Sequence, residues 1–330
     1  MFYSLVKSFV KFGLQWYITD LRTEQLELIQ EKTPSLIVAN HPNSFFDALI
    51  IAVHAPGEIR FLTRGDLFEK PVNNWLLRSL FMLPIYKKND VDDAAVRNAF
   101  TYEECTRLLK DGKHILIFPE GRSHNQYTLH KFMPEGCDRL MEMCYKKEVA
   151  LQIQPFALSY SSFSFVPKAV AIQALPPIDP TDYIEDHVVQ MTAVLQKVRE
   201  ELTANMLVQP LVPKENPPDL QKFLWIPAKI GYYTQFWYYR LWRDYIRKKT
   251  EGTIFFDSLL FGSLLFSYPL VVLLFSLLIG GFFGFMWGLF VFLVLPFTSY
   301  CMVKAQRIKT EEDFEVIRKN YFVTKEKQND

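Results

Sequence analysis

His41 and Asp47 stand six residues apart, directly after the apolar run SLIVAN of residues 35–40. On a straight helix, side chains six apart point roughly 240° away from each other. The pair therefore meets only if His41 sits on a strand-to-helix turn and Asp47 in the first turn of the helix that follows. Pro42 and Asn43 are residue types that make such a bend. A carboxylate bonded to one imidazole nitrogen fixes the tautomer and leaves the other nitrogen to take a proton as general base. That is the base-and-orienter half of a catalytic triad. A plainer reading stands beside it. Ser44-Phe45-Phe46-Asp47 has the S-x-x-D form of a capping box ahead of the apolar run ALIIAV, and there Asp47 only caps and His41 only turns.

A second cluster, Glu120, Gly121, Arg122 and Ser123, leaves the apolar run HILIFP. Gly121 permits a sharp turn and a close ligand approach. Arg122 offers a planar fork suited to phosphate or carboxylate. An ordinary solvated turn uses the same residue types. Arg64, Lys87 and Lys88 also end apolar runs. If these runs are parallel strands, one rim of the sheet gathers a base, a carboxylate and several cations. That composition suits an anionic substrate with a hydroxyl to deprotonate. GxSxG, Walker A, GxGxxG and HExxH patterns are absent. His54, His114, His124, His130 and His187 show no metal-ligand spacing. Only His124, beside the second cluster, is marked for a closer look; the others read as structural.

The elements that must position these residues lie between 35 and 205. Candidate strands are 35–40, 58–64, 82–88, 114–119, 150–160 and 169–176; candidate helices are 44–55, 71–80, 92–110, 134–147 and 182–204. This β-then-α rhythm predicts an α/β domain around a mixed, largely parallel sheet flanked by helices, a sheet that binds ligands beyond its carboxyl ends. Residues 205–220, with Pro210, Pro213, Pro217 and Pro218, read as a linker, and the tail KEKQND as frayed.

Both flanks point to lipid. At the N-terminus, Ser4, Lys7, Ser8, Lys11 and Gln15 recur at helical spacing, with Phe2, Leu5, Phe9, Phe12 and Trp16 opposite. This predicts an amphipathic helix that lies on lipid or on the protein's own core; Lys7 and Lys11 rule out a signal-peptide core. From Ser258 to Val303 there are 46 residues without a charge, against the ~20 a bilayer-spanning helix needs. Two apolar helices, about 258–279 and 282–303 with a turn at Gly280-Gly281, form a spanning or re-entrant hairpin in this reading; a buried core hairpin is the alternative. Arg247, Lys248 and Lys249 precede it, and Lys304, Arg307 and Lys309 follow, which places both flanks on the cytoplasmic side. Residues 221–249 hold ten aromatics and seven Lys/Arg against one acid, Asp244. They read as an interfacial belt, or as an aromatic core face with a solvated basic side. The expected domains are thus 1–30 (membrane-surface segment), 31–205 (α/β catalytic domain), 206–250 (linker and belt) and 251–330 (hairpin and tail).

The chain has 330 residues with 37 basic against 36 acidic, a balance that argues against nucleic-acid binding. Apolar residues reach 49%, which excludes general disorder. Cys105, Cys137, Cys144 and Cys301 form no CxxC pair, so neither a zinc site nor a disulfide framework is expected. The two clusters resemble those of the glycerophospholipid acyltransferase family, which includes lysophosphatidate and glycerol-3-phosphate acyltransferases. Its NHxxxxD block is matched by Asn40, His41 and Asp47, and its FPEG block by Phe118, Pro119, Glu120 and Gly121, in the same order and about 75 residues apart. A basic strand between them looks like Leu83-Pro84-Ile85-Tyr86-Lys87-Lys88, and a later proline-containing strand like that of Pro155. The resemblance covers roughly residues 1–205.

It implies an acyltransferase fold and a mechanism. His41, held by Asp47, deprotonates an acceptor hydroxyl, which attacks the thioester of acyl-CoA or acyl-carrier protein without an acyl-enzyme. Glu120 and Gly121, with Ser123, shape the acceptor pocket; Arg122 with Arg64 or Lys87 holds the phosphate. No metal or further cofactor is implied. Many bacterial members read FPEG-Thr-Arg-Ser, whereas this chain reads FPEG-Arg-Ser-His-Asn. The EG-x-SH form looks more like the branch that acylates glycerol 3-phosphate and dihydroxyacetone phosphate. The expected function is a membrane-bound O-acyltransferase of phospholipid biosynthesis, acting on 1-acylglycerol-3-phosphate or glycerol 3-phosphate, with its catalytic domain facing the cytoplasm. The alternatives are an acyltransferase for another lyso-lipid, such as an amino-acid lipid, and a non-catalytic membrane scaffold.

Overall fold

The computed structural model describes residues 2–30, 33–87, 91–133, 135–185, 188–214 and 218–309; Lys88, His187, Pro217 and the tail lie outside them. In chain order the elements are α1 (Phe2–Gly13), β1 (Ile18–Glu24), β2 (Ser35–Ala39), α2 (Phe45–His54), β3 (Ile59–Arg64), α3 (Pro71–Ser79), β4 (Met82–Ile85), α4 (Ala94–Lys110), β5 (His114–Ile117), α5 (Glu135–Lys146), β6 (Gln152–Tyr160), β7 (Lys168–Ala174), β8 (Ile184–Glu185), β9 (Val188–Val189), α6 (Met191–Asn205), α7 (Pro218–Lys249), α8 (Phe256–Phe283) and α9 (Phe285–Ala305). A seven-stranded sheet has the order β1-β7-β6-β2-β5-β3-β4. Two units divide the chain. The first holds the residues up to Phe9, Thr23–Leu158 and Ala171–Val208; the second holds Val10–Arg22, Ser159–Val170 and the chain from Gln209.

In the first unit, β2 is buried at all five positions, as a continuous apolar run in a sheet covered on both faces must be. It runs parallel to β5 and to β6, and β3 runs parallel to β4 and to β5. Five adjacent strands therefore share one carboxyl edge. Beneath it lies a core to which α4, α5 and α6 contribute Cys105, Leu109, Leu140, Cys144, Val198 and Leu202. Burial pushes the Cys105 and Cys137 thiols up to about 12 and Cys144 to about 11, so these are packing residues.

Three expectations change. Strands β4 and β5 stop at Ile85 and Ile117, short of Lys87 and Pro119, because the following residues already turn. The helix expected from 182 begins only at Met191; before it, Ile184 and Glu185 pair with Val189 and Val188 in a small hairpin. In α1, Lys7 does not lie on a solvent face: its ammonium donates to the carbonyls of Ala55 (2.9 Å) and Gly57 (3.1 Å). Tyr3 is buried against the Phe81 ring, whereas Phe2, Leu5 and Phe9 are exposed. The row of Phe2, Leu5, Phe9 and Phe12 looks outward, while Tyr3 and Val10 are buried on the side where Lys7 points inward, so the helix is seated through a second apolar row and leaves the first exposed.

In the second unit, α8 and α9 are long and apolar enough to cross a membrane, and only 11% and 28% of their most apolar stretches are buried. A core hairpin would be mostly buried, so that alternative falls. The turn is not Gly280-Gly281 but Gly284, whose φ of 100° favours glycine. Gly280 lies inside α8 against Gly288 of α9, where an added Cβ on Gly288 would come within 3.0 Å of the Gly280 Cα. The belt is one 32-residue helix, α7. Its Gly231 passes so close to α9 that a Cβ would meet the Thr298 carbonyl oxygen at 2.2 Å. Gln235 donates to Leu295 O (3.0 Å) and Thr298 Oγ1 (2.9 Å) and accepts from the Tyr268 hydroxyl. Phe223, Ile226, Ile230, Tyr233 and Trp237 face outward. Residues 18–24, grouped by sequence with the N-terminal segment, are a strand at the end of the sheet order; at their start, buried Tyr17 donates to Asp257 Oδ1 (2.8 Å). Asp257 opens α8 and is ion-paired with buried Lys168.

Candidate active site

Strand β2 ends at Ala39, and Asn40 closes it off. The Asn40 amide donates to Leu158 O (2.9 Å), while its carbonyl accepts the Leu158 N–H (2.8 Å). This two-way bond fixes the departing chain against β6. His41 then lies on the turn into α2, with Asp47 in the first turn of that helix. His41 Nδ1 is 2.9 Å from Asp47 Oδ2, and the carboxylate is fully buried. The same oxygen accepts the Asn43 N–H at 2.7 Å. Asp47 thus does both jobs that its spacing allowed: it braces the turn and orients the imidazole. The capping box itself does not form, because the Ser44 side chain makes no cap bond. Ser44 instead takes φ 54° and ψ −143°, a region nearly reserved for glycine, and its N–H donates to Ser123 Oγ at 2.6 Å.

The second cluster leaves β5 one strand away and lies over this turn. Phe118 stacks on the His41 ring, centroids 3.9 Å apart and planes 10° apart. Glu120 is buried. One of its oxygens accepts the His41 N–H at 2.6 Å; the other takes His124 Nε2 at 2.6 Å and the His130 N–H at 2.8 Å. Gly121 has φ +66°, and a Cβ there would meet the Met133 sulfur at 2.8 Å, so glycine is required twice over. Asn125 N–H reaches Pro42 O at 2.8 Å.

Of the residues marked in the sequence, His41, Asp47, Glu120 and Ser123 come together in one hydrogen-bonded group. Gly121 and Arg122 are exposed beside it, and the Arg122 guanidinium makes no ion pair or hydrogen bond among the described residues. Arg64 ends β3 at the register of Ile85, and Lys87 follows two residues after β4 ends. Both are on the same carboxyl edge, one and two strands beyond Arg122, at ~4.8 Å per strand. Arg64 grips Asp66 through Nε (3.1 Å) and Nη2 (2.8 Å). Sequence reasoning passed over the Phe118 stacking and the Asn40 amide bridge. Both residues sat in recognised motifs, but neither contact has a spacing signal. Among the described residues no cluster of His, Cys, Asp and Glu is placed to hold a metal.

The site is thus an imidazole–carboxylate pair on the carboxyl edge of a parallel sheet, with the Phe118 ring of a Phe-Pro-Glu-Gly turn stacked on the imidazole. Residues 20–159 match the family model named Acyltransferase, in line with the glycerophospholipid acyltransferase resemblance of the motifs in that stretch. Over 129 residues it is 32% identical to a lyso-ornithine lipid O-acyltransferase of Pseudomonas aeruginosa, a match that takes in 39% of this chain and 44% of that protein. The crystal structure of the 1-acyl-sn-glycerophosphate acyltransferase PlsC from Thermotoga maritima is similar at a TM-score of 0.46 and 18% identity, over 61% of this chain and 78% of that one.

Proposed function

We propose that this acyltransferase moves a fatty acyl group from acyl-CoA or acyl-carrier protein to a hydroxyl of a glycerol-phosphate acceptor, 1-acylglycerol-3-phosphate or glycerol 3-phosphate. The observation that carries the reading is the His41–Asp47 pair. Because Asp47 is acceptor-only, His41 Nδ1 donates to it and Nε2 is left to take a proton. In the reaction Nε2 removes the acceptor's hydroxyl proton as the oxygen bonds to the thioester carbon. The carbon–sulfur bond then breaks, and the imidazolium returns its proton to the departing thiolate. The Asp47 charge stabilises the imidazolium formed between the two steps. Arg122 binds the acceptor phosphate, with Arg64 and Lys87 farther along the rim. Gly121, having no side chain, lets the acceptor come close to the turn.

A second acceptor class has its own support: the match to the lyso-ornithine lipid enzyme favours a lyso-lipid built on an amino acid. The intact His41–Asp47 pair speaks against a non-catalytic scaffold. In this reading the hairpin α8–α9 attaches the enzyme to the membrane, and the basic residues at both of its ends (Arg247, Lys248 and Lys249; Lys304, Arg307 and Lys309) favour a cytoplasmic side for those flanks. The test is an acceptor panel. Full-length protein in detergent is given labelled acyl-CoA with lysophosphatidate, glycerol 3-phosphate, lyso-ornithine lipid, lysophosphatidylcholine or water. Transfer to lysophosphatidate or glycerol 3-phosphate is expected. Strongest transfer to lyso-ornithine lipid selects the second class, and thioester loss to water alone overturns both.

A further inference from the structure

Residues 120–125 are sewn to residues 41–44 by three bonds: Glu120 to His41 N–H, Ser123 to Ser44 N–H, and Asn125 N–H to Pro42 O. Glu120 has no hydrogen-bonding capacity pointed at solvent, since its side chain is 0% exposed and both oxygens accept from protein donors. A buried carboxylate holds its place only while its oxygens are satisfied. His124 supplies that support from a ring that is itself 8% exposed and stacked on His130, centroids 3.6 Å apart and planes 12° apart. The acceptor-only carboxylate forces His124 to donate through Nε2, and its Nδ1 has no partner among the described residues. The ring is therefore committed to one bond, the one that fixes Glu120.

We propose that Glu120 is a positioning residue for His41 rather than a ligand of the acyl acceptor, and that His124 is the residue that holds Glu120 in that role. The route is His124 Nε2–H to Glu120 Oε2, then Glu120 Oε1 to the backbone N–H of His41. Removing the His124 donor frees Glu120 to rotate, and the His41 turn loses the bond that sets its height over the sheet edge. A displacement of the base by about 1 Å costs ~10²-fold in rate, whereas the acceptor's own contacts are untouched.

This inference rests on the reading of His41 as general base, and the experiment separates the two. Full-length wild type, His124→Gln, His124→Phe, His124→Ala and Glu120→Gln are compared by steady-state kinetics on the best acceptor of the panel, with thermal unfolding run alongside. Wild-type turnover tests the base reading by itself: if no acceptor is acylated, that reading fails and this inference with it. Given an active wild type, His124→Phe keeps the stack on His130 but lacks the donor, so its kcat should fall ~10- to 100-fold. Acceptor KM should stay within about threefold, because no substrate contact changes. His124→Gln, whose amide nitrogen reaches the place of Nε2, should recover most of kcat. Glu120→Gln should behave like His124→Phe, because its amide then opposes two donors. A large rise in acceptor KM with kcat preserved in Glu120→Gln would restore Glu120 as an acceptor ligand and overturn the proposal. So would full kcat in His124→Phe, or equal losses in His124→Phe and His124→Gln.

Discussion

Replacing Asp47 by Asn tests whether the carboxylate's charge, or only its shape, serves His41. In the structure Asp47 Oδ2 accepts both the Asn43 N–H at 2.7 Å and the His41 Nδ1–H at 2.9 Å. An Asn carbonyl set in the same place keeps both bonds, so the turn survives and the unfolding temperature should drop by only a few degrees. What the substitution removes is the negative charge beside the imidazolium of the transition state. Two unit charges 2.9 Å apart attract by about 6 kcal/mol at an effective dielectric constant of 20. The His41 side chain is 17% exposed, and the neutral amide keeps part of the dipole, so about half of this is a reasonable net loss. At 1.36 kcal/mol per tenfold, the expected fall in kcat is about 10²-fold, with the KM of the acyl donor little changed. The assay is release of free CoA thiol with time, alongside thermal melting in the same detergent. If Asp47→Asn keeps kcat within tenfold of wild type, the carboxylate is only a turn brace and the base mechanism is wrong.

Arg122→Ala should raise acceptor KM by roughly 10- to 150-fold, the value of one charge-assisted bond, and leave donor KM nearly constant; a change confined to kcat would give Arg122 another role. Cys105, Cys137 and Cys144 should resist alkylation at pH 8 in the folded enzyme, because burial holds their thiols up at about 11 to 12 and the thiolate is the reactive form. The sign of the linked effect follows. A thiol whose pKa is raised by folding contributes stability that is complete below the unfolded value near 9 and is lost as pH climbs toward 12, so melting temperature should decline across that window and be flat just below it. Gly288→Val should splay α8 from α9, since its Cβ would come within 2.7 Å of Ser276 O. Lower thermal stability in detergent, with the activity of the surviving fraction unchanged, is the expected result, and an unchanged melting temperature would contradict the close crossing.

The strands that carry the candidate site were legible in the sequence because they are covered on both faces. Residues 35–39 and 152–160 are apolar or buried almost throughout, and a run of that kind has few other homes. Strand β1 was not legible: ITDLRTE is half exposed and, at the end of the sheet order, needs no apolar stripe. The site was legible to the extent that its chemistry lies in residue types. His41, Asp47 and the Glu120-Gly121 turn could be picked out by spacing. Their division of labour could not, since the bond from Glu120 to the His41 N–H spans 79 positions and involves a backbone donor that every residue type but proline offers. Lys7 failed for a related reason. Helical spacing placed it on the polar face, but two carbonyls left open near the end of α2 reward an ammonium pointed inward.

The same distinction applies to the membrane elements, where length and composition reveal helices but not their contacts. The uncharged run gave α8 and α9 to within a few residues, and misplaced the turn because Gly280-Gly281 looks like a break. A glycine inside an apolar helix serves equally well to let another helix approach, and Gly280 does this with Gly288. Helix α7 shows the converse. Its aromatics and cations marked it as an interfacial segment, and its outward row of Phe223, Ile226, Ile230, Tyr233 and Trp237 fits that use. Its inner side is a packing surface, with Gly231 against Thr298, Gln235 bridging Leu295, Thr298 and Tyr268, and Tyr238 bonded to Ser267. These contacts lie between Ser267 and Tyr268 on α8 and between Leu295 and Thr298 on α9, toward the charged ends of the hairpin and away from the turn at Gly284. A helix that grips the hairpin there and at Cys301 leaves the outward faces of the apolar tip exposed, from Leu277 and Phe282 to Phe285 and Phe290, and lipid is the medium in which such a tip carries no penalty.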